Sequence, residues 1–162
     1  MDDLLLGIDA GTSFVKAVLV TPDGRRLAQA YASYPTHHPR PGWAEQNPED
    51  WWDGAVSAVR RVLAIAPGRV RGIGVSGQGC AVTLVDAKGQ VLHPAIIWMD
   101  TRSEPQCEIL RNSCAGEILR VNGKSPAPYN ADPVLMWLKE QQPEVVDASR
   151  CSLTTTGYLN FR

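Results

Sequence analysis

The sequence has no excess of either charge. Its 16 Lys and Arg residues stand against 17 Asp and Glu residues, which gives a formal net charge of −1 over 162 residues. A domain that coats nucleic acid usually presents a strongly basic face, so this balance argues against a nucleic-acid partner. The arginine pairs Arg25-Arg26 and Arg60-Arg61 are isolated, which is typical of solvated strand and helix surfaces.

Long apolar runs and low-complexity segments are also absent. The apolar run from Leu4 to Ile8 is too short for a signal-peptide core or a membrane span, and the acidic start Met1-Asp2-Asp3 lacks the positive charge of a secretory signal. The 14 glycines and 12 prolines exceed average usage only slightly, which excludes a collagen-like chain. We therefore expect a cytoplasmic globular protein with no membrane partner.

The cysteines and histidines form no disulfide framework and no zinc site. No two cysteines have CxxC spacing, and the histidines complete no ligand pattern with them. Reduced thiols are therefore expected. The residues concerned are Cys80, Cys107, Cys114, Cys151, His37, His38 and His93.

The first 33 residues predict a three-stranded antiparallel meander. Strands are expected at Leu4–Ile8, Phe14–Val20 and Arg26–Ser33, because turn residues at Asp9–Ser13 and Pro22–Gly24 separate them. A chain of this length can bury about two thirds of its unfolded surface in one domain.

Helices and further strands follow the meander. Asn47-Pro48 predicts a helix start, with an apolar stripe that assigns Trp52 to the core. Helices are also expected over Cys107–Ile118 and from Asp132-Pro133 to Gln142. The remaining predicted strands are Val70–Val75, Val82–Asp86 and Ala95–Trp98. Together these elements predict a mixed α/β domain.

Two glycine-bearing segments are candidates for phosphate binding. Gly72–Gly77 satisfies G-x-G-x-x-G, but its first glycines lie inside a predicted strand and no helix follows, which argues against a dinucleotide site. A P-loop motif is absent. The second segment, Gly7–Ser13, offers a turn whose N–H groups can form an anion nest and a carboxylate, Asp9, that can hold magnesium. A plain hairpin turn is the alternative at this point.

Five sequence blocks carry a family resemblance. The Gly7–Ser13 segment resembles the first phosphate-binding hairpin of the superfamily of sugar kinases, actin and heat-shock chaperones. The blocks downstream resemble the FGGY family of carbohydrate kinases, above all its xylulokinase branch. They are Gly42–Trp52 (G-W-x-E-Q-x-P-x-x-W-W), Gly74–Gln78, Ala95–Arg102 (A-I-x-W-x-D-x-R), Leu135–Leu138 with Pro143-Glu144, and Tyr158–Arg162.

The resemblance implies a ribonuclease-H-like domain of the actin and hexokinase superfamily, with a mixed sheet flanked by helices. It also implies an ATP-dependent, magnesium-dependent phosphoryl transfer to a hydroxyl of a ketose or polyol. Asp9 would serve the metal and the phosphates. Lys16 would either reach phosphate or extend along its own strand face. The residues implied for phosphate binding are Asp9, Gly11, Thr12, Ser13 and Lys16.

The implied sugar-binding residues depart from the xylulokinase pattern. That pattern has Gln-Met-His-Gly where this sequence has Gln78-Gly79-Cys80, so D-xylulose is not the favoured substrate. Cys80 is expected either as a small apolar wall or as a reactive thiol. Asp100 and Arg102 would either contact the sugar or form an internal pair that braces their loop.

The resemblance also implies that residues 1–162 are the N-terminal sugar-binding domain of a longer kinase. The family's catalytic base and nucleotide-binding domain would lie beyond Arg162, so this chain alone is expected to be inactive. A homodimer is possible in the full-length protein. The alternatives are a non-catalytic sugar-binding module and another ATPase of the actin and heat-shock chaperone superfamily.

Overall fold

A computed structural model describes residues 3–162. Two compact units share this chain: the residues up to Thr36 together with Asn47–Gln78 and Thr155–Arg162 form unit 1, and His37–Gln46 with Gly79–Thr154 form unit 2. The elements in chain order are β1 (Asp3–Ala10), β2 (Phe14–Val20), β3 (Arg26–Ser33), β4 (Glu45–Gln46), α1 (Pro48–Ile65), β5 (Arg69–Gly77), β6 (Thr83–Val85), β7 (Ala95–Ile96), α2 (Glu104–Asn122), α3 (Ala131–Gln141), α4 (Pro143–Ala148), β8 (Cys151–Leu153) and α5 (Thr155–Phe161).

Unit 1 is built on a four-stranded mixed sheet in the order β3-β2-β1-β5. The predicted meander is confirmed, since β1 pairs with β2 and β2 pairs with β3 in antiparallel register. β5 adds to β1 in parallel, which requires the crossover that α1 provides. The first glycines of the Gly72–Gly77 segment lie within a strand, as expected, and β5 extends past the predicted end at Val75 to include the whole segment.

The helix α1 packs on the sheet through a stripe of small and apolar residues. Gly54 lies so close to β2 that an added Cβ would approach Val15 Cγ2 to 3.3 Å. The expectation that Trp52 lies in the core is wrong. Trp51 is the fully buried tryptophan of α1, while Trp52 is only partly buried, because the buried stripe passes through Trp51 on its way to Ala55 and Val62. The other buried residues of α1 are Pro48, Gly54, Ala55, Ala58 and Val62.

The start of α1 agrees with the sequence prediction. The Asn47 side chain accepts a hydrogen bond of 3.2 Å from the Glu49 amide, and Pro48 occupies the first helical turn. This pairing satisfies one of the amide groups that a helix start leaves without an internal partner.

Helix α5 is fastened to the start of α1. The Tyr158 ring packs edge-on against Trp51, with ring centroids 6.2 Å apart, and its hydroxyl donates to Glu49 Oε1 at 2.5 Å. Arg162 Nη1 donates to Glu49 Oε2 at 2.6 Å. The hydrogen bonds from Arg162 and then from Tyr158 hold the pKa of Glu49 below its ordinary value. Burial and the bond to Glu49 raise the pKa of Tyr158 to about 12.

Unit 2 combines two short antiparallel strand pairs, β4-β7 and β6-β8, with α2, α3 and α4. Its apolar core contains Val82, Leu84, Ile96, Val134 and Leu138. Several predicted bounds are wrong by a few residues. The helix predicted over Cys107–Ile118 spans Glu104–Asn122, and the strand predicted over Val82–Asp86 spans Thr83–Val85. The strand at Ala95 ends at Ile96, because a turn closed by the bond from Asp100 N to Ile97 O follows. Helix α3 starts at Ala131 after Asn130, one residue before Asp132-Pro133.

Within residues 3–162, no helix is both long enough and apolar enough to cross a membrane.

Candidate functional site

The β1–β2 turn of unit 1 is a tight hairpin. The Gly11 amide donates to Phe14 O at 3.0 Å, which closes the turn, and Asp9 lies exposed at the end of β1. The Gly11 backbone needs no glycine: an added Cβ would lie 3.5 Å from Phe14 O, an ordinary contact. The fold of the turn therefore does not require a glycine at this position.

A tyrosine that sequence reasoning missed anchors this turn. The Tyr34 hydroxyl donates to Gly11 O, and the Tyr34 amide donates to Ser13 O at 3.3 Å. Burial and then the nearby charge of Asp9 raise the pKa of Tyr34. The only sequence signal was its place, directly after β3 and before Pro35, where a chain leaves a sheet.

Parallel pairing brings the end of β5 to the same turn. Asp9 and Ser76 are register partners, and the Gln78 amide donates to Ala10 O at 2.8 Å. The carboxyl ends of the parallel strands β1 and β5 thus lie side by side, the position where open α/β sheets bind ligands. Gln78, predicted as a substrate residue, directly adjoins the turn predicted for phosphate. Ser76 is a second site candidate that sequence reasoning did not single out.

Asp9 and Lys16 border one cavity of about 420 Å³ on the sheet of unit 1. They are register partners on β1 and β2, so their side chains share a face. The Lys16 ammonium lies 5.8 Å from the centroid of the Tyr31 ring. Lys16 therefore lies on the strand face that it shares with Asp9 and lines the same cavity, and its contact with phosphate stays a prediction. Gly7, Ile8, Val18, Gly74, Val75 and Ser76 complete the lining.

The donor set around Asp9 suits magnesium better than a transition metal. No group of three or more His, Cys, Asp or Glu side chains that could hold a metal occurs in residues 3–162. Magnesium keeps several waters and typically uses one or two carboxylates together with substrate phosphates. A single exposed carboxylate beside a turn with two hydroxyl residues, Thr12 and Ser13, fits that requirement.

Gly79 and Cys80 are the first residues of the second chain segment of unit 2. An added Cβ at Gly79 would meet no atom within 4 Å, so space is available for a larger side chain or a ligand. Cys80 has φ 53°, a left-handed conformation that a residue with a Cβ adopts at an energetic cost. Its side chain is half-buried. Backbone strain of this kind often occurs at ligand-binding sites.

Asp100 and Arg102 form the internal pair that was one of two expected alternatives. Asp100 is fully buried, and its Oδ2 accepts from Ala44 N at 2.6 Å and from Arg102 Nη2 at 2.7 Å. Arg102 Nη1 lies 2.8 Å from Glu45 Oε1. The pair therefore ties the segment of β4 to the loop after β7 within unit 2.

Gly42 tightens the same connection. Its φ of 78° is left-handed, and an added Cβ would lie 2.6 Å from Thr101 Oγ1. The Thr101 amide donates to Gly42 O at 2.8 Å. The motifs G-W-x-E-Q and W-x-D-x-R thus belong to two segments that are bonded to each other. Trp98 lies in the turn after β7 and is about half exposed.

The predicted site residues divide between the units. Unit 1 contains Gln78 and all the residues predicted for phosphate and metal binding, grouped at the carboxyl end of β1 and on the neighbouring face of β2. Unit 2 contains Gly79, Cys80, Asp100 and Arg102, the last two of which bind each other.

Comparisons with known proteins identify the family. Residues 4–162 match the N-terminal domain of the FGGY family of carbohydrate kinases. The chain is 34% identical over 161 residues to a xylulose kinase of Bacillus subtilis, covering 98% of this chain and 32% of that protein. It is 36% identical over 150 residues to a glycerol kinase of Verminephrobacter eiseniae, covering 90% of this chain and 29% of that protein.

A solved structure supports the fold. The crystal structure of xylulose kinase from Rhodospirillum rubrum superposes with a TM-score of 0.94 at 30% identity, over 98% of this chain and 33% of that one. The predicted mixed α/β domain with helices flanking a mixed sheet is confirmed. The chain spans about a third of the length of the curated relatives it matches. Because the family match extends over nearly every residue, the chain belongs to the FGGY family of carbohydrate kinases.

Proposed function

We propose that this chain is the substrate-binding N-terminal part of an ATP-dependent kinase that phosphorylates a hydroxyl of a ketose or polyol. The hydrogen bond from Gln78 N to Ala10 O carries the proposal, because it joins the first substrate residue to the phosphate turn. The similarity to both xylulose and glycerol kinases supports the reaction class and leaves the substrate as a ketose or a polyol.

The β1–β2 turn binds the phosphate end of the nucleotide in this proposal. The amide groups of the turn and the hydroxyls of Thr12 and Ser13 donate to phosphate oxygens, and Gly11 lets those oxygens approach the backbone. Asp9 holds the magnesium ion, which neutralises charge on the transferred group when it is bound. Lys16 adds a positive charge at the edge of the same cavity.

The sugar is bound by the segment that leaves β5. Gln78 can donate to one hydroxyl and accept from another, since its amide has both functions. Gly79 and Cys80 form a small wall with room for a substrate that the bulkier Met-His pair would contact differently. Asp100 and Arg102 act as positioning residues that hold their loop, because their charges are used on each other and on Glu45.

The base that accepts the proton of the reacting hydroxyl is proposed to lie outside these 162 residues. The matched relatives are about three times longer, with only 32% of the Bacillus subtilis protein covered. Phosphoryl transfer needs a positioned base and charge stabilisation in addition to binding. The chain by itself is therefore expected to bind substrate without turning it over.

Thermal unfolding with a panel of ketoses and polyols tests the binding half of the proposal. One sugar should raise the unfolding temperature in a saturable manner, since a ligand at about 100 times its Kd adds about 2.7 kcal/mol. Magnesium-ATP alone should add much less. If no sugar stabilises the chain, the assignment of Gln78–Cys80 to substrate binding is wrong.

Incubation with labelled ATP, magnesium and the same panel tests the catalytic half. No phosphorylated product is expected from the 162-residue chain, and product should appear when the full-length reading frame is expressed. Robust phosphorylation by the 162-residue chain would contradict the proposed external base. Sugar binding without any reaction in the full-length protein would favour a non-catalytic sugar-binding module.

A further inference from the structure

A cavity of about 550 Å³ opens within unit 2 on residues that the proposed function leaves almost entirely unused. Its volume lies within the range of about 300–1,000 Å³ that is typical of small-molecule sites. Apart from Arg102, the side chains that matter for its chemistry are Arg40, Trp43, Gln106, Trp137, Gln141 and Gln142.

The aromatic walls of this cavity are fixed. Trp43 and Trp137 meet edge to face, with ring centroids 5.3 Å apart and planes at 87°. The Arg102 guanidinium carbon lies 3.7 Å from the centroid of Trp43 and 5.1 Å from that of Trp137. Because Asp100 and Glu45 hold Arg102 in turn, both rings are positioned before any ligand arrives, which lowers the entropic cost of binding.

Gln106 lines this cavity, and its side-chain oxygen is almost inaccessible to water. Its Nε2 donates to Glu140 Oε2 at 2.5 Å, and its side chain is almost fully buried. Reversing the amide would place two acceptors against each other, so the carboxylate of Glu140 determines the orientation of the amide. In this orientation, Gln106 Oε1 has no hydrogen-bond partner within residues 3–162. A hydroxyl group that donates to this oxygen would complete the pairing.

The charges favour a neutral ligand. The charge of Arg102 is balanced by Asp100 and Glu45, and none of the described lining residues carries a carboxylate that could attract a metal ion. Arg40 is the remaining cation, and it is exposed, so water and salt screen its charge while its guanidinium lies 4.9 Å from the centroid of Trp43. Two tryptophans and three glutamine amides suit a polyhydroxylated molecule, whose C–H face packs on a ring while its hydroxyls both donate and accept.

We propose that this cavity is a second, non-reacting binding site for a sugar or polyol. One hydroxyl of the ligand donates to Gln106 Oε1, the amides of Gln141 and Gln142 bind others, and the ligand packs on Trp137. The site does not depend on the proposed phosphoryl transfer, because only Arg102 is common to the two sets of residues.

An NMR titration of the ¹⁵N-labelled chain with single ketoses and polyols tests the site. Saturable shifts are expected for the indole N–H signals of Trp43 and Trp137 and for the side-chain amide of Gln106. The Gln106→Leu and Trp137→Phe variants should each bind more weakly, with a dissociation constant from the remaining signals that is about tenfold higher. Gln90→Leu is the matched control, because Gln90 is an exposed glutamine of the same unit, and it should change nothing.

Circular dichroism of each variant confirms that the fold is retained, and Gln106→Leu keeps the site testable if Trp137→Phe unfolds. The inference is overturned if sugars shift only the signals around Gln78–Cys80, a result that leaves the proposed function standing. It is also overturned if Gln106→Leu binds as tightly as the unmodified chain. Loss of both sets of shifts would reject this site and the proposed substrate segment together.

Discussion

The Arg102 guanidinium donates hydrogen bonds to both carboxylate oxygens of Asp100. Its Nε lies 3.0 Å from each oxygen, and its Nη2 lies 2.7 Å from Oδ2. Asp100 is completely buried and Arg102 is 8% exposed, so water screens this pair very little. Asp100 Oδ2 also accepts a hydrogen bond from the Ala44 amide. The pair therefore joins the β4 segment to the loop after β7.

Replacing Asp100→Asn should destabilise the chain strongly. The buried guanidinium of Arg102 would lose one of its two carboxylate partners, and such losses cost about 3 kcal/mol. Urea denaturation measures the change in unfolding free energy. The control is Asp147→Asn, which removes an exposed pair with Lys139 and should cost less than about 1 kcal/mol. Equal losses in the two variants would contradict the role given to Asp100.

Replacing Gly11→Ala should reduce phosphate binding without changing stability. The added methyl group makes only an ordinary contact with Phe14 O. In the proposed function, however, it hinders the close approach of phosphate oxygens to the backbone of the turn. The affinity for magnesium-tripolyphosphate, measured by NMR shifts of the turn amides, should fall about fivefold or more. The unfolding temperature should stay the same.

Gly24→Ala is the matched control with the opposite signature. Gly24 has φ 88°, so a Cβ there costs about 1 kcal/mol of stability although nothing crowds it. Its tripolyphosphate affinity should be unchanged. A Gly11→Ala variant that loses stability but still binds phosphate would show that Gly11 serves the turn and not a ligand.

The double replacement Gly79→Met with Cys80→His should shift sugar preference toward D-xylulose. The open space at Gly79 can take the longer side chain, and the imidazole restores a polar group that can bind a hydroxyl. Isothermal titration with D-xylulose and with the best native ligand measures the ratio of the two affinities. The single variant Gly79→Met, which adds no polar group, should change this ratio less; an unchanged ratio in the double variant would remove these positions from substrate selection.

Acid should release α5 from α1. Arg162 and then Tyr158 hold the pKa of Glu49 below its ordinary value of 4.5. The stability contributed by Glu49 is therefore complete above that value and is lost as the pH falls through the lower value of the folded state. Hydrogen exchange of the α5 amides, corrected for intrinsic rates, should show less protection below pH 4.5.

Glu49→Gln provides the control for this acid transition. The α5 amides of this variant should show low protection at neutral pH and no further loss on acidification. Glu117→Gln, which changes an exposed glutamate on α2, should keep the original pH dependence. Retention of full α5 protection in Glu49→Gln would contradict the role of Glu49 in holding α5 against α1.

Local patterns predicted the elements of unit 1 well. The bounds of β2 and β3 agree with the prediction, because alternation and turn residues act within a few positions. The assignment of Trp52 failed because Trp51 and Trp52 are adjacent and both apolar. Which of them enters the core is decided by packing against Tyr158, and a residue so distant in sequence leaves no local signal.

The candidate site could be predicted only in part. The turn after β1 was visible from its residue types, whereas its proximity to Gln78 depends on the parallel register of β1 and β5, which local patterns do not specify. The spacing of Asp100 and Arg102 allowed an internal pair, but their burial depends on Trp43, Ala44 and Glu45. Tyr34 escaped notice because its partner is a backbone carbonyl.

Unit 1 is made of three separate segments of the chain, which leave the ribosome at different times. A ribosome delivers β1 to β5 first, then Gly79–Thr154, and only afterwards the α5 residues that fasten Glu49. The nascent sheet must wait for its last helix while Gly79–Thr154 is synthesised, with Trp51 not yet covered by Tyr158. Folding that depends on such late, long-range contacts is slow and exposes apolar surface. We expect the growing chain to depend on chaperones until α5 has left the ribosome.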